Sequence, residues 1–178
     1  MPPVWLRKTM IKYKAAIVGL GQVGLTFDRD AKRTGIWTHF SAFERLADRY
    51  ELVAVCDVDS ARCVEATTRC PAVRTYGCID DMLGSESLDI VSICTPPKFH
   101  GKQIMKCAGK VRAIICEKPL CEDISEGQEV VLACLNQGTL LAVNYYKRYD
   151  GCIPYVRERL QSGAVGAIRT VTAWYSGP

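Results

Sequence analysis

The segment AAIVGLGQVGLTF, near the N-terminus, has glycines in the spacing G-x-G-x-x-G directly after an apolar run. In such a turn Gly19 permits a tight bend, Gly21 lets the backbone approach a pyrophosphate, and Gly24 lets a following helix pack closely. Free N–H groups at the helix start, around Gln22 and Val23, would then face the phosphates. The spacing therefore predicts a dinucleotide site, with a purely structural turn as the alternative.

Asp57 supplies a second element of such a site, because it ends the next apolar run in YELVAVCD. A carboxylate at this position accepts hydrogen bonds from the ribose hydroxyls of the adenosine half. A 2′-phosphate would meet the like charges of Asp57 and Asp59, which favours NAD over NADP, although Arg62 could supply a counter-charge. The alternative role for Asp57 is a helix-start cap, which Asp59 or Ser60 could provide equally well.

Strand-length apolar runs alternate with amphipathic segments, which predicts an α/β fold with a doubly wound parallel sheet, the Rossmann NAD(P)-binding fold. The predicted strands are residues 15–20, 52–56, 73–76, 90–94, 111–116 and 139–144. Helices are expected at residues 38–49, 60–70 and 123–137, directly after Gly24 and around His100, with Thr38 and Ser60 as candidate caps.

The pattern changes after Tyr149, which indicates a second domain. We expect a dinucleotide-binding domain over residues 1–147, with 1–11 as an extension, and the truncated start of an α+β domain over 148–178. A helix at 153–160 and a strand at 168–175 would begin it. Because a strand without partners exposes unpaired backbone groups, we expect the chain to be a homo-oligomer.

Composition excludes several other classes of protein. The net charge of +4 is mild and concentrates in basic residues before the first strand, which favours a solvated tail over a nucleic-acid partner. No apolar run approaches the ~18 residues of a membrane span. Ten cysteines occur without any C-x-x-C pair, and three lie inside predicted strands, which indicates buried thiols in a reducing compartment, the cytoplasm.

Two further motifs carry a family resemblance. Thr95-Pro96-Pro97 with His100 follows the fourth predicted strand, and Glu117-Lys118-Pro119 follows the fifth. In order after the glycine turn and Asp57, they resemble the Gfo/Idh/MocA family of glucose–fructose oxidoreductases and inositol dehydrogenases. The resemblance extends from Lys12 to Pro178, and it is the combination of motifs that makes it specific.

The resemblance implies an NAD(P)-dependent dehydrogenase of a sugar or polyol, with the substrate between a Rossmann domain and a second domain. It implies that Lys118 touches the substrate hydroxyl and supports proton transfer, as the catalytic residue. Thr95, Pro96, His100 and Glu117 are then candidates for cofactor binding. The second-domain histidine that usually serves as acid or base in this family is absent, because His39 and His100 both lie in the Rossmann part.

Some roles stay open at this point. Glu117 could hold Lys118 in place, or the two could form an ordinary loop ion pair. His100 is a cap or packing residue, or it lies near the nicotinamide, and His39 is interpreted as structural. Asn144 follows the sixth predicted strand, where it could reach substrate or serve as a hinge.

Two hypotheses for function follow. The first is an oxidoreductase, or its cofactor-binding part, acting on a sugar- or polyol-type alcohol or ketone. The second is a non-catalytic dinucleotide-binding module, a sensor or scaffold, which the missing second domain favours for this chain. A methyltransferase is a weaker third hypothesis, because S-adenosylmethionine needs no pyrophosphate cradle and Lys118 would have no evident role.

Overall fold

The architecture is that of a computed structural model, which describes residues 12–33 and 35–174. Six parallel strands form one sheet in the order β3-β2-β1-β4-β5-β6, which is the order of a dinucleotide-binding Rossmann fold. The strands are β1 (Tyr13–Val18), β2 (Tyr50–Cys56), β3 (Arg74–Tyr76), β4 (Ile90–Ile93), β5 (Ala113–Cys116) and β6 (Leu140–Val143). All six lie within two or three residues of the predicted ones, so the predicted fold class is confirmed.

Helices cover both faces of the sheet. They are α1 (His39–Arg45), α2 (Ser60–Arg69), α3 (Ile79–Ser85), α4 (His100–Cys107), α5 (Ile124–Asn136) and, beyond the sheet, α6 (Cys152–Gln161). One buried cluster contains Phe40 of α1 and Ala66 of α2, and the other contains Met82 of α3, Ile104 of α4 and Val130 of α5. Strands buried between two layers of helices explain the nearly continuous apolar runs.

The helix starts only partly follow the predicted caps. The Thr38 side chain accepts a hydrogen bond from Ser41 N at 3.1 Å, which confirms it as the cap of α1. Asp59 caps α2 by accepting from Ala61 N at 3.0 Å, so Ser60 is the first helical residue and the prediction for Ser60 is wrong. A carboxylate accepts more strongly than a hydroxyl near the positive helix end.

The predicted helix directly after Gly24 is interrupted. The carbonyls of Gly21 and Gln22 accept from the amides of Leu25 and Phe27, each at 2.9 Å. The next two carbonyls, of Val23 and Gly24, instead accept from His39 at 2.9 Å and from the residue after it, where α1 begins. The helix is thus split by an intervening segment, of which residues 28–33 and 35–38 are described. Its polar sequence, DRDAKR in the first part, supplies no apolar face for a continuous helix to bury.

The described chain forms two compact units, one ending at Asn144 and one beginning at Tyr145. The predicted boundary at 147/148 stays a prediction. In the second unit α6 confirms the predicted helix at 153–160. Residues 168–174 do not form the predicted strand, because no other strand in the described part of this unit can pair with them. Tyr175, like the extension at 1–11, lies outside the described residues.

The cysteines are free thiols, and six of them are buried in the two apolar clusters of the first unit. Burial raises the pKa of Cys56, Cys107 and Cys116 to about 12. They therefore stay protonated and pack as small hydrophobic side chains. In the described residues, no group of three or more His, Cys, Asp or Glu side chains is arranged to hold a metal ion. Nor does that part of the chain contain a helix both long and apolar enough to span a membrane.

Candidate nucleotide-binding and active site

The glycine turn follows β1 at the carboxyl edge of the sheet, where ligands bind in open α/β folds. Gly19 has a φ of +92°, and a Cβ built on it would lie 2.7 Å from Thr95 N, in the loop after β4. A Cβ on Gly24 would overlap the carbonyl group of Gly19. These two glycines are therefore required by the fold itself, because side chains there would displace backbone.

Gly21 differs from the other two glycines of the motif. The nearest group that a Cβ on Gly21 would meet is Arg62 Nη1, at 3.8 Å. The protein itself therefore has room for a side chain at this position. A cradle that a Cβ would fill, beside the exposed Gln22 and the partly exposed Val23, fits the expected pyrophosphate.

Asp57 lies directly after β2 and is 9% exposed. Its Oδ2 accepts from Leu20 N at 2.6 Å, inside the glycine turn, and its Oδ1 accepts from Asp59 N at 2.9 Å. Asp57 is not the cap of α2, since that role belongs to Asp59. Each carboxylate oxygen retains a second acceptor site, so contact with ribose hydroxyls is compatible with these bonds.

Arg62 is the counter-charge considered for this region, and it does reach both carboxylates. Its Nε lies 3.2 Å from Asp59 Oδ2, and its Nη1 lies 3.5 Å from Asp57 Oδ2. The adenosine side of the site therefore has two carboxylates and one guanidinium, a local charge of about −1. This negative local charge still disfavours a 2′-phosphate, although less strongly than two carboxylates without the Arg62 guanidinium would.

Thr95 and His100 connect the loops at the centre of the edge. Thr95 Oγ1 donates to Gln103 Oε1 at 2.6 Å. His100 is fully buried, with Nε2 2.7 Å from the Thr95 carbonyl oxygen and Nδ1 2.8 Å from that of Pro119. The His100 ring therefore lies between the loop after β4 and the loop after β5, and it contacts a backbone carbonyl of each. Of the two roles left open for His100, packing matches this geometry, whereas direct contact of the ring with a cofactor does not.

Glu117 is a buried carboxylate directly after β5, 8% exposed. Its Oε1 lies 2.9 Å from His39 Nε2 and accepts from Asn144 Nδ2 at 2.6 Å, and its Oε2 accepts from Lys118 N at 3.3 Å. Burial alone would raise the pKa of the Glu117 carboxyl, but the bonds from His39 and Asn144 outweigh it and hold the pKa below its ordinary value. Glu117 is therefore an anion surrounded by donors.

Lys118 extends from the same loop into solvent, before a cis peptide bond to Pro119. Among the described residues no carboxylate pairs with its ammonium group, so the ordinary ion pair with Glu117 does not form. Glu117 bonds to the backbone of Lys118 instead. The sequence does not indicate that His39 and Asn144 bond to Glu117. Its only signal is the position of Asn144 at the end of a predicted strand.

Comparisons with known proteins agree with this geometry. Residues 13–145 match the GFO_IDH_MocA family, described as an oxidoreductase family with an NAD-binding Rossmann fold. The chain therefore belongs to this family of oxidoreductases.

Individual relatives are longer than this chain. It is 31% identical over 158 residues to a D-apiose dehydrogenase from Paraburkholderia graminis, which is 89% of this chain and 39% of that protein. It is 31% identical over 125 residues to an inositol 2-dehydrogenase from Rubrobacter xylanophilus, which is 70% and 36% respectively. The chain spans about two fifths of the length of the curated relatives it matches.

A solved structure has a similar fold. It is the WlbA dehydrogenase from Chromobacterium violaceum in complex with NADH and UDP-GlcNAcA, with a TM-score of 0.75 and 29% identity. The match covers 93% of this chain and 43% of that one.

Proposed function

We propose that this chain binds NAD(H) along the carboxyl edge of its sheet and, within a longer polypeptide, belongs to a dehydrogenase of a sugar- or polyol-type alcohol or ketone. The observation that carries the proposal is the open space above Gly21, at an edge that also bears Asp57 and the exposed Lys118. The names of the relatives, D-apiose and inositol dehydrogenases, support the substrate class.

The residues of the chain suit separate tasks in such a reaction. Amide groups of the glycine turn hold the pyrophosphate, Asp57 holds the ribose, and Thr95 and Pro96 line the edge between β1 and β4. The cofactor supplies the hydride acceptor or donor. The Lys118 ammonium can donate to the substrate oxygen and stabilise the alkoxide that develops there.

A non-catalytic binding module is the second candidate, and the exposure of Lys118 favours it for the chain by itself. An open site does not exclude water from the reacting atoms. Titration calorimetry with NAD⁺ tests binding, and an NADH-formation assay over a panel of polyols tests chemistry. Binding without turnover supports the module for this chain alone, whereas turnover supports a complete enzyme.

NAD⁺ is expected to bind roughly five- to tenfold tighter than NADP⁺ at low salt, because a like charge about 4 Å away costs about 1 kcal/mol even in water. Arg62→Ala should widen this preference by removing the counter-charge, and Asp59→Asn should narrow it. Added salt should weaken the preference, since the groups are partly exposed. Competition titrations with both nucleotides provide the measurement. Equal or tighter binding of NADP⁺ by the unmodified chain would refute the assignment.

We further propose that the chain self-associates through residues 168–174 and works in the cytoplasm, where its ten thiols stay reduced. Ile168, Val171 and Trp174 are 58%, 78% and 93% exposed. An exposed apolar segment of this kind tends to be covered by another copy of the chain. Light scattering should report an oligomer, which the double substitution Val171→Lys and Trp174→Glu converts to a monomer. A monomeric wild-type chain at high concentration would contradict this proposal.

A further inference from the structure

The Glu117 carboxylate receives donors from three separate parts of the first unit. They are the start of α1, the residue after β6 and the peptide that follows Glu117 itself. Because an ionised carboxylate only accepts hydrogen bonds, His39 Nε2 must carry the hydrogen of its bond. The side chains of His39 and Glu117 are only 11% and 10% exposed, so solvent does little to replace this bond if it is lost.

His39 is attached in two places. Its backbone N–H donates to the Val23 carbonyl at 2.9 Å, within the glycine turn. Its imidazole holds Glu117, which is followed directly by Lys118. One residue therefore joins the turn for the pyrophosphate to the loop that bears the exposed lysine. In a Rossmann site the glycine turn binds the pyrophosphate, which joins the two halves of the cofactor. The nicotinamide half then extends past β4 towards the loop after β5.

We infer that His39 is a positioning residue, which fixes the loop of Glu117 and Lys118 for the nicotinamide half of the cofactor. This inference rests on the proposed binding of NAD(H). Without the imidazole, the buried carboxylate keeps one side-chain donor, Asn144. The loop then loses its attachment to the glycine turn, while the backbone bond from His39 to Val23 remains.

The test compares NAD⁺ with ADP-ribose, which has the pyrophosphate and both riboses but no nicotinamide. His39→Leu should weaken NAD⁺ binding by roughly tenfold, because the loop released by the loss of this bond must be ordered again when the nicotinamide binds. The affinity for ADP-ribose should stay within about twofold of the unmodified chain, because the turn is unchanged. His39→Gln, whose amide can donate from nearly the same place as Nε2, should restore most of the NAD⁺ affinity.

Asn144→Leu provides a second variant, which removes the other side-chain donor to Glu117 and leaves α1 intact. It should show the same selective loss of NAD⁺ affinity, so that a folding failure of His39→Leu does not remove the test. Equal losses for NAD⁺ and ADP-ribose, or no loss for NAD⁺, would show that His39 has only a structural role. If the unmodified chain binds neither ligand, the proposed function itself fails, and this inference fails with it.

Discussion

Replacing Gly21 with valine is expected to abolish NAD⁺ binding while the protein stays folded. The valine side chain would enter the space above the turn, where the nearest protein group, Arg62 Nη1, is 3.8 Å from the new Cβ. The free energy of unfolding should change by about 0.5 kcal/mol or less, as for other substitutions that displace nothing. Calorimetric titration with NAD⁺ and thermal unfolding of the same sample provide the two measurements.

Gly24→Val is the matched control, because it adds the same side chain three residues further along. There the Cβ would overlap the carbonyl group of Gly19, and the backbone of the turn must move. This variant should lose stability, with a melting temperature well below that of the Gly21 variant. If the Gly21 variant binds NAD⁺ as the unmodified chain does, the glycine turn is only a structural feature.

Lys118→Ala is expected to lower kcat/KM by roughly 10²- to 10⁴-fold, the usual contribution of a positioned proton-transfer group. The expected fall in kcat/KM applies to a longer polypeptide that also contains the second domain. NAD⁺ affinity should change little, because the Lys118 side chain is exposed and its ammonium group forms no hydrogen bond or ion pair within the described residues. Steady-state kinetics with the best polyol found, together with NAD⁺ titration, separate the two effects.

Lys102→Ala serves as the control for the loss of a positive charge. Lys102 lies exposed on α4 and has no part in the proposed site. Its kinetics should match those of the unmodified protein. Near-normal turnover by the Lys118 variant would make Lys118 a structural loop residue and would favour the non-catalytic module.

The sheet could be predicted from sequence because its four inner strands, β1, β2, β4 and β5, lie between two layers of helices, which leaves nearly continuous apolar runs. The segment that separates the glycine turn from α1 could not be predicted. The hydrogen bonds from α1 to the carbonyls of Val23 and Gly24 are long-range features, and the glycine motif alone indicates an uninterrupted helix. The strand expected at 168–175 failed for another reason, since β propensity does not supply a partner.

The residues of the candidate site follow the ends of β1, β2, β4 and β5, so parallel pairing places them on one edge. That much could be predicted from spacing. The partners of Glu117 could not, because His39 is 78 residues away in the chain and Asn144 is 27 residues away. Only the folded sheet brings α1, β5 and β6 together around one carboxylate.

Nitrogen-15 amide NMR of the 178-residue chain, titrated with NAD⁺, tests the central claim most directly. We expect the largest shifts at the carboxyl edge of the sheet, in the glycine turn and at Asp57, Thr95 and Lys118. The opposite edge, at Asp89 and Arg112, should stay unchanged, since these residues lie at the amino ends of β4 and β5. No saturable shifts, or shifts concentrated around Asp89 and Arg112, would contradict the assignment of this edge as the NAD site.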